Sequence, residues 1–194
     1  MQRFKEFFTS KTTLSPEEWQ RIQEKIRIKT YNKGDVIHHI GDVFTDMMFI
    51  NKGVVRSYFI DPRGRDFTWQ IHFSHPDANL KNLFVVDFAS FTQQQPSLMT
   101  FEALEPTELY AISYENREAL FAVDKKWEHF GRKVSEEVYS MNYYRTVSML
   151  TDSAEERYRK LLLDSPEVFD VVPQHYIASY LGITAQSLSR LKKR

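Results

Sequence analysis

The C-terminal part of the chain contains the stretch QHYIASYLGITAQSLSRL, residues 174–191. Its spacing predicts two short helices joined by a tight turn. Ile177 and Leu181 stand four residues apart and therefore share one face of the first helix. Gly182 can adopt the left-handed conformation that ends a helix, and Thr184 is a suitable N-cap for the next one. The stretch therefore predicts a helix-turn-helix.

The second predicted helix has an outward face of short polar and basic side chains. Leu188 and Leu191 would pack against the first helix, which leaves the other face free to reach base edges in a major groove. The chain has formal net charge +0, yet residues 171–194 contain no Asp or Glu. Positive charge concentrated in this way suits contact with phosphates. The predicted DNA contacts are Thr184, Ala185, Gln186, Ser187, Ser189, Arg190, Lys192, Lys193 and Arg194.

Within this set, Arg190 is the candidate for direct base readout, and Gln186 and Ala185 would tune the site. The hydroxyl and lysine side chains, with Arg194, would contact phosphates. The alternative is an amphipathic helical hairpin that closes a domain and binds nothing, because apolar residues at helical spacing also occur in ordinary cores. The charge distribution favours DNA binding over this alternative.

The composition bounds the class of protein. The chain has 194 residues, 42% of them hydrophobic, which is enough for one large or two small globular domains. It has no cysteine, which excludes disulfides, Cys-ligated iron–sulfur clusters and thiolate zinc sites. No segment resembles a signal peptide or reaches membrane-spanning length. We therefore expect a soluble, cytoplasmic protein with no membrane partner.

The order of predicted elements indicates an α+β protein. Residues 1–29 are predicted to be helical, with the start signal Ser15-Pro16-Glu17-Glu18. From Tyr31 the pattern changes to short strands separated by Gly-bearing turns, which is typical of an antiparallel barrel or jelly roll. The predicted strands are residues 36–40, 47–50, 54–60, 67–73, 98–104 and 109–113.

Several of these segments resemble the Crp/Fnr family of bacterial transcription regulators. The matching segments are KGDVI at 33–37, GD at 41–42, MFINKG at 48–53 and DPRGR at 61–65, and the helix-turn-helix lies where that family has one. The resemblance implies an N-terminal cyclic-nucleotide-binding-like β-roll with its helices, residues 1–123. It further implies a long dimerisation helix, residues 124–150, and a winged-helix-like DNA-binding domain, residues 151–194.

The chain departs from the family at the ligand site. The family's cyclic-nucleotide binders have a Glu for the ribose hydroxyl and, ten residues later, an Arg for the cyclic phosphate. Here Asp87 stands at the Glu position and Ser97 at the Arg position. A buried phosphate without a charge partner is costly, so we expect little binding of cyclic AMP or cyclic GMP. An unknown small effector could use a pocket formed by Asp87, Phe88, Ser90, Ser97 and Met99.

An apolar stripe runs along the predicted helix 124–150. Its members recur every three or four residues and include Trp127, Phe130, Val134, Val138 and Met141. One side can lie on the roll and the other can pair with the same helix of a second subunit. Such a homodimer would present two recognition helices to a palindromic duplex. The alternative is that the roll alone covers the stripe.

The next helix is predicted to begin at a capping box formed by Ser153 and Glu156. Tyr158, Leu161 and Leu162 would face the helix-turn-helix. A wing before the helix-turn-helix would have to fit into residues 168–172, which is too short for a full hairpin.

Two other functions remain open. A ligand-sensing or interaction module could keep this fold without binding DNA. A cupin-like metalloenzyme would share the barrel, and His72, His75 and Asp77 invite a metal interpretation. However, the chain has no His-x-His, nucleophile elbow, P-loop or dinucleotide fingerprint. We therefore predict no enzyme activity, no metal and no cofactor.

Overall fold

A computed structural model of the chain describes residues 1–75, 78 and 80–193. Its strands form two four-stranded antiparallel sheets, ordered β1-β8-β3-β6 and β2-β7-β4-β5. This arrangement confirms the predicted antiparallel roll. The strands are β1 (Arg27–Tyr31), β2 (Val36–His38), β3 (Asp46–Lys52), β4 (Val54–Ile60), β5 (Asp66–Phe73), β6 (Phe84–Val85), β7 (Thr100–Ala103) and β8 (Thr107–Ser113).

Helices flank the roll at both ends and interrupt it twice. The long helix begins after Asp124, whose side chain accepts a hydrogen bond from the backbone N–H of Lys126. The helices are α1 (Gln2–Thr9), α2 (Pro16–Lys25), α3 (Leu80–Leu83), α4 (Phe88–Gln93), α5 (Tyr114–Phe121), α6 (Lys125–Thr151), α7 (Ala154–Asp164), α8 (Val168–Val171), α9 (Gln174–Tyr180) and α10 (Ala185–Leu191). The order of roll, long helix and C-terminal helices confirms the predicted fold class.

The N-terminal helical prediction is correct in part. The capping box of Ser15 and Glu18 starts α2 as predicted. The helix prediction is wrong for residues 27–29, because these residues form the beginning of β1. Ile26 has φ −86° and ψ 135°, which ends the helix, and Arg27 then pairs with Ala111 in β8. The hydrogen-bond partners offered by β8 therefore outweigh the helical pattern, which continues in the sequence beyond this point.

The connection between α7 and α9 is helical. Residues 168–171 form the one-turn helix α8, so the described residues here contain no strand that could belong to a wing. The capping box of Ser153 and Glu156 starts α7 as predicted. Leu161 is buried, whereas Leu162 is 38% exposed and does not face the core as predicted. The buried face of α7 is narrower than the apolar sequence suggested.

Successive residues of the second sheet point into different cores. The inner face contributes Val55 and Phe101 to the interior of the roll. The outer face of β4 and β5 contributes Val54, Ile71 and Phe73 to a separate core. The other members of that separate core come mostly from the C-terminal helices and include Leu161, Val168, Ile177, Leu181 and Leu188. The helix-turn-helix is therefore seated on the outside of the roll.

Candidate nucleic-acid interface and effector cavity

The turn between α9 and α10 has the conformation predicted from the sequence. Gly182 has φ +68°, and the N–H of Ile183 donates to the carbonyl of Ala178 at 3.0 Å. The side chain of Thr184 accepts a hydrogen bond from the N–H of Ser187 at 3.2 Å and so caps α10. These local bonds end one helix and start the next within a few residues, which fixes the angle between them.

The packing of α10 determines which residues face solvent. Leu188 is fully buried against α9, whereas Leu191 is half-buried. Ser187 is half-buried because its N–H and hydroxyl both face Thr184. Arg194 lies outside the described residues. The other predicted contacts are all exposed, namely Thr184, Ala185, Gln186, Ser189, Arg190, Lys192 and Lys193.

At the charged end of this surface, the side chain of Lys192 packs over an aromatic ring. The ammonium of Lys192 lies 5.4 Å from the centre of the Phe169 ring, which is close enough for a cation–π contact. Arg190 belongs to the last turn of α10 and is exposed. The exposed side of α10 therefore combines short polar groups with cations, as a DNA-reading helix requires.

Helix α9 is attached to β5 through Ser179. The hydroxyl of Ser179 accepts from the N–H of Thr68 at 2.9 Å and donates to the carbonyl of Asp66 at 3.2 Å. A serine hydroxyl thus satisfies two backbone groups of the roll. No sequence pattern pointed to this contact, because its partners are more than a hundred residues apart along the chain.

Arg56 is a buried cation beneath α9. Its guanidinium bonds to Asp66 at 2.5 Å and to Glu102 at 3.0 Å. It also lies between the rings of Tyr58 and Tyr176, about 4 Å from each ring centre. Burial alone would lower the pKa of Arg56, but the two carboxylates outweigh that effect and raise the pKa. The sandwich joins β4 to the first helix of the helix-turn-helix.

Arg145 joins three elements at one point. From α6 its guanidinium donates to the carbonyl of Thr68 at 3.3 Å and to that of Tyr180 at 3.0 Å. The same group lies 3.8 Å from the Tyr180 ring centre and 5.0 Å from that of Trp69. A displacement of α6, β5 or α9 would therefore disturb contacts to the other two.

A cavity of about 260 Å³ lies between the inside of the roll, α4 and α6. Of the predicted effector residues, Asp87, Phe88 and Met99 line it. Ser90 does not, because its hydroxyl accepts from the N–H of Phe44 at 2.9 Å and donates to a nearby backbone carbonyl. Ser97 does not line it either. Three of the five predicted effector residues therefore line one cavity, and two do not.

Asp87 has its carboxylate oxygens already engaged. One oxygen accepts from the N–H groups of Ala89 and Ser90 at 3.1 and 3.2 Å, and the other accepts from the hydroxyl of Ser97 at 2.8 Å. Asp87 and Ser97 are both buried. Free N–H groups at the start of a helix are donors that an anion can use. Here a carboxylate of the chain occupies those donors and adds negative charge, which opposes a cyclic phosphate.

His72, a residue of the metal hypothesis, lies inside the roll. His72 is buried, its Nε2 lies 3.4 Å from the Ser57 hydroxyl, and burial lowers its pKa to about 3. Asp77 lies outside the described residues. In the described parts of the chain, no group of three or more His, Asp or Glu side chains is placed to hold a metal ion.

Over the ranges that the structure describes, none of the helices is both long and apolar enough to cross a bilayer.

The C-terminal half of α6 exposes large side chains. Val134 is buried and Val138 and Met141 are half-buried, so the residues named in the predicted stripe pack against the rest of the chain. Other residues of this half of α6 are exposed, and the exposed fractions reach 71% at Tyr139 and 80% at Leu150. The exposed set is Tyr139, Tyr143, Tyr144, Val147 and Leu150. Contiguous apolar surface of this kind is typical of a protein interface.

Comparisons with known proteins agree with this architecture. A family model described as the cyclic nucleotide-binding domain matches residues 28–124. FixK2 from Bradyrhizobium japonicum superposes with a TM-score of 0.72 at 16% identity, covering 87% of this chain and 83% of FixK2. The Thermus thermophilus catabolite activator protein gives a TM-score of 0.58 at 18% identity, with coverages of 93% and 83%.

A third solved structure is CLP, described as a c-di-GMP responsive global regulator from Xanthomonas campestris. It gives a TM-score of 0.64 at 15% identity, covering 92% of this chain and 90% of CLP. Among curated proteins, none has a sequence that matches this chain significantly.

Proposed function

This chain belongs to the cyclic nucleotide-binding domain family, and from that premise we propose that it is a sequence-specific, DNA-binding transcription regulator of the Crp/Fnr type. The observation that carries the proposal is the exposed face of α10, where Gln186, Ser189 and Arg190 stand on a capped helix beside two lysines. The likeness in fold to regulators supports it. The predicted division into residues 1–123, 124–150 and 151–194 is part of the same proposal.

The exposed stripe on α6 supports a homodimer. Tyr139 and Tyr143 stack with ring centres 6.4 Å apart, and Leu150 extends the same apolar surface. A second copy of α6 would remove this surface from water. Two copies related by a two-fold axis would present two α10 helices, and the preferred duplex would then be a palindrome.

The proposal is tested by selecting purified full-length protein on randomised duplexes at two salt concentrations. We expect enrichment of a two-fold palindrome and weaker binding at the higher salt, because released counterions drive part of the association. Salt-sensitive binding without an enriched sequence would contradict sequence-specific recognition. Absence of binding at either salt would favour the alternative, a ligand-sensing or interaction module on the same fold.

Arg190→Ala is expected to lose about 1–3 kcal/mol of discrimination between the selected duplex and a scrambled one. The reason is that a guanidinium can bond two acceptors on a guanine edge. Lys193→Ala is the matched control, since a phosphate contact weakens all sequences alike. Dissociation constants for both duplexes measure the difference. If Arg190→Ala lowered both affinities equally, its role in reading bases would be wrong.

Cyclic AMP and cyclic GMP at millimolar concentration are expected to leave the melting temperature unchanged. Position 97 is a serine and not an arginine. The Asp87 carboxylate already accepts hydrogen bonds from N–H groups at the start of α4. A ligand that binds only the folded state stabilises it by RT ln(1 + L/Kd), where L is the ligand concentration, so the melting temperature rises with the logarithm of L above Kd. A dose-dependent rise in thermal scans would therefore overturn this prediction.

A further inference from the structure

Apolar side chains line the cavity beneath α6 on two opposite sides. The roll and α4 contribute Trp69, Phe84, Val86, Phe88 and Met99, and α6 contributes Val134, Val138 and Met141. Walls of this kind favour an apolar ligand body, because burial removes apolar surface from water. The volume of about 260 Å³ is near the lower limit of small-molecule sites. The ligand should therefore be small.

The cavity opens towards the helix-turn-helix. Gln70, Lys81, Met141 and Asn142 line both this cavity and a larger cleft of about 580 Å³ that extends between α6, α7 and α9. These four residues therefore form the mouth that connects the two spaces. Two of them offer amide groups and one offers an ammonium, so the mouth is lined by hydrogen-bond donors.

Lys81 is the free cation at this mouth. It is half-buried, and within the described part of the chain its ammonium makes no hydrogen bond or ion pair. An ammonium in such a position gains a charge-assisted bond when a carboxylate arrives. The amides of Gln70 and Asn142 are beside it and can donate to the same group.

The interior of the cavity disfavours a second charge. Asp87 lines it with a carboxylate whose oxygens are already hydrogen-bonded. A further anion would be repelled there. His72 also lines the cavity but stays neutral at pH 7, since burial lowers its pKa to about 3. The ligand should therefore have one charged end only.

From these features we infer that the cavity binds a small amphipathic monoanion, with its apolar body between the roll and α6 and its carboxylate at the mouth beside Lys81. The binding site stands on its own, whereas its use as a regulatory site rests on the proposed function.

The wall of the cavity is connected to the helix-turn-helix. Trp69 lines the cavity and lies 5.0 Å from the Arg145 guanidinium, which holds the carbonyl groups of Thr68 and Tyr180. Thr68 also donates its N–H to Ser179. A ligand that shifts Trp69 would therefore act on the bonds that seat α9, and through α9 on the placement of α10.

The test uses the full-length protein and two acids, octanoate and 4-phenylbutyrate, with 1-octanol as the neutral analogue. Tryptophan fluorescence reports binding near Trp69, and thermal scans report stabilisation. We expect saturable binding of at least one acid, with 1-octanol weaker by about tenfold, because the charge-assisted bond is lost. Whichever acid binds more tightly shows whether the apolar body is aliphatic or aromatic.

Two substitutions locate the site. Lys81→Gln is expected to weaken the acid by about tenfold, whereas Lys52→Gln, at the exposed end of β3, leaves its affinity unchanged. Val138→Phe is expected to abolish binding, because the larger ring fills the cavity from α6. Val171→Phe is its control on the partly exposed side of α8.

Equal binding of 1-octanol and octanoate, or an unchanged affinity in Lys81→Gln, would overturn the assignment of an anion. Failure of both acids to bind saturably would overturn the site itself. DNA binding to the selected palindrome is measured in parallel. Intact DNA binding without acid binding refutes only this inference, and acid binding without DNA binding refutes only the proposed function.

Discussion

Gly53→Ala is expected to destabilise the folded chain by about 4 kcal/mol, or to prevent folding. Gly53 has φ +102° in the turn between β3 and β4. A Cβ there would lie 2.4 Å from the hydroxyl oxygen of Thr107 and 2.7 Å from its Cα. Thr107 begins β8, which pairs with both β1 and β3, so its backbone cannot move away without disturbing the first sheet.

Gly64→Ala is the matched control for this substitution. Gly64 has φ +77°, but a Cβ there would meet no atom within 4 Å. It should therefore cost only the left-handed backbone penalty, about 1 kcal/mol. Urea unfolding of both variants measures the difference. If both variants lost the same stability, the backbone conformation, and not the contact with Thr107, would be the reason that position 53 requires glycine.

Arg56→Met is expected to destabilise the protein by about 3 kcal/mol, because it leaves two carboxylates beneath α9 without their cation. Met keeps most of the side-chain volume. The Arg56 side chain is 7% exposed, but its partners Asp66 and Glu102 are 40% and 21% exposed. Water can therefore reach both carboxylates. The expected loss of stability is for this reason at the lower end of the range for a buried ion pair that has lost one partner. Chemical denaturation measures it.

Two further variants make this test specific. Arg63→Met changes an exposed arginine in the β4–β5 turn and should alter the free energy of unfolding by less than about 0.5 kcal/mol. Adding Glu102→Gln to Arg56→Met removes one unpaired charge and should recover part of the loss. If the double variant were less stable than Arg56→Met, the unpaired carboxylate would not be the cause.

Features set by neighbours in the sequence were predictable. Gly182 and Thr184 shape the turn of the helix-turn-helix through bonds that span only a few residues. The capping boxes at Ser15 and Ser153 are equally local. Strand β4 was predicted with its observed bounds because Gly53 and the turn after Ile60 delimit it. In each case the information lies within a few positions of the element.

Features set by distant parts of the chain were not predictable. The strand at residues 27–29 depends on β8, some eighty residues later. The family resemblance placed Ser97 at the position of a phosphate-binding arginine, but nothing in the sequence indicated that the Ser97 hydroxyl bonds to Asp87. Likewise the contact of Arg56 with Tyr176 depends on how α9 is seated on the second sheet. A single sequence does not indicate which distant residues come into contact.

The core that joins the outer face of β4 and β5 to the C-terminal helices has a consequence for cooperativity. Val54, Ile71 and Phe73 are buried largely by residues such as Leu161 and Ile177. A truncated chain ending with α6 would expose this apolar face and invite aggregation. The isolated C-terminal fragment would in turn lose part of its own interior. Roll and helix-turn-helix should therefore melt in one transition and resist limited proteolysis together.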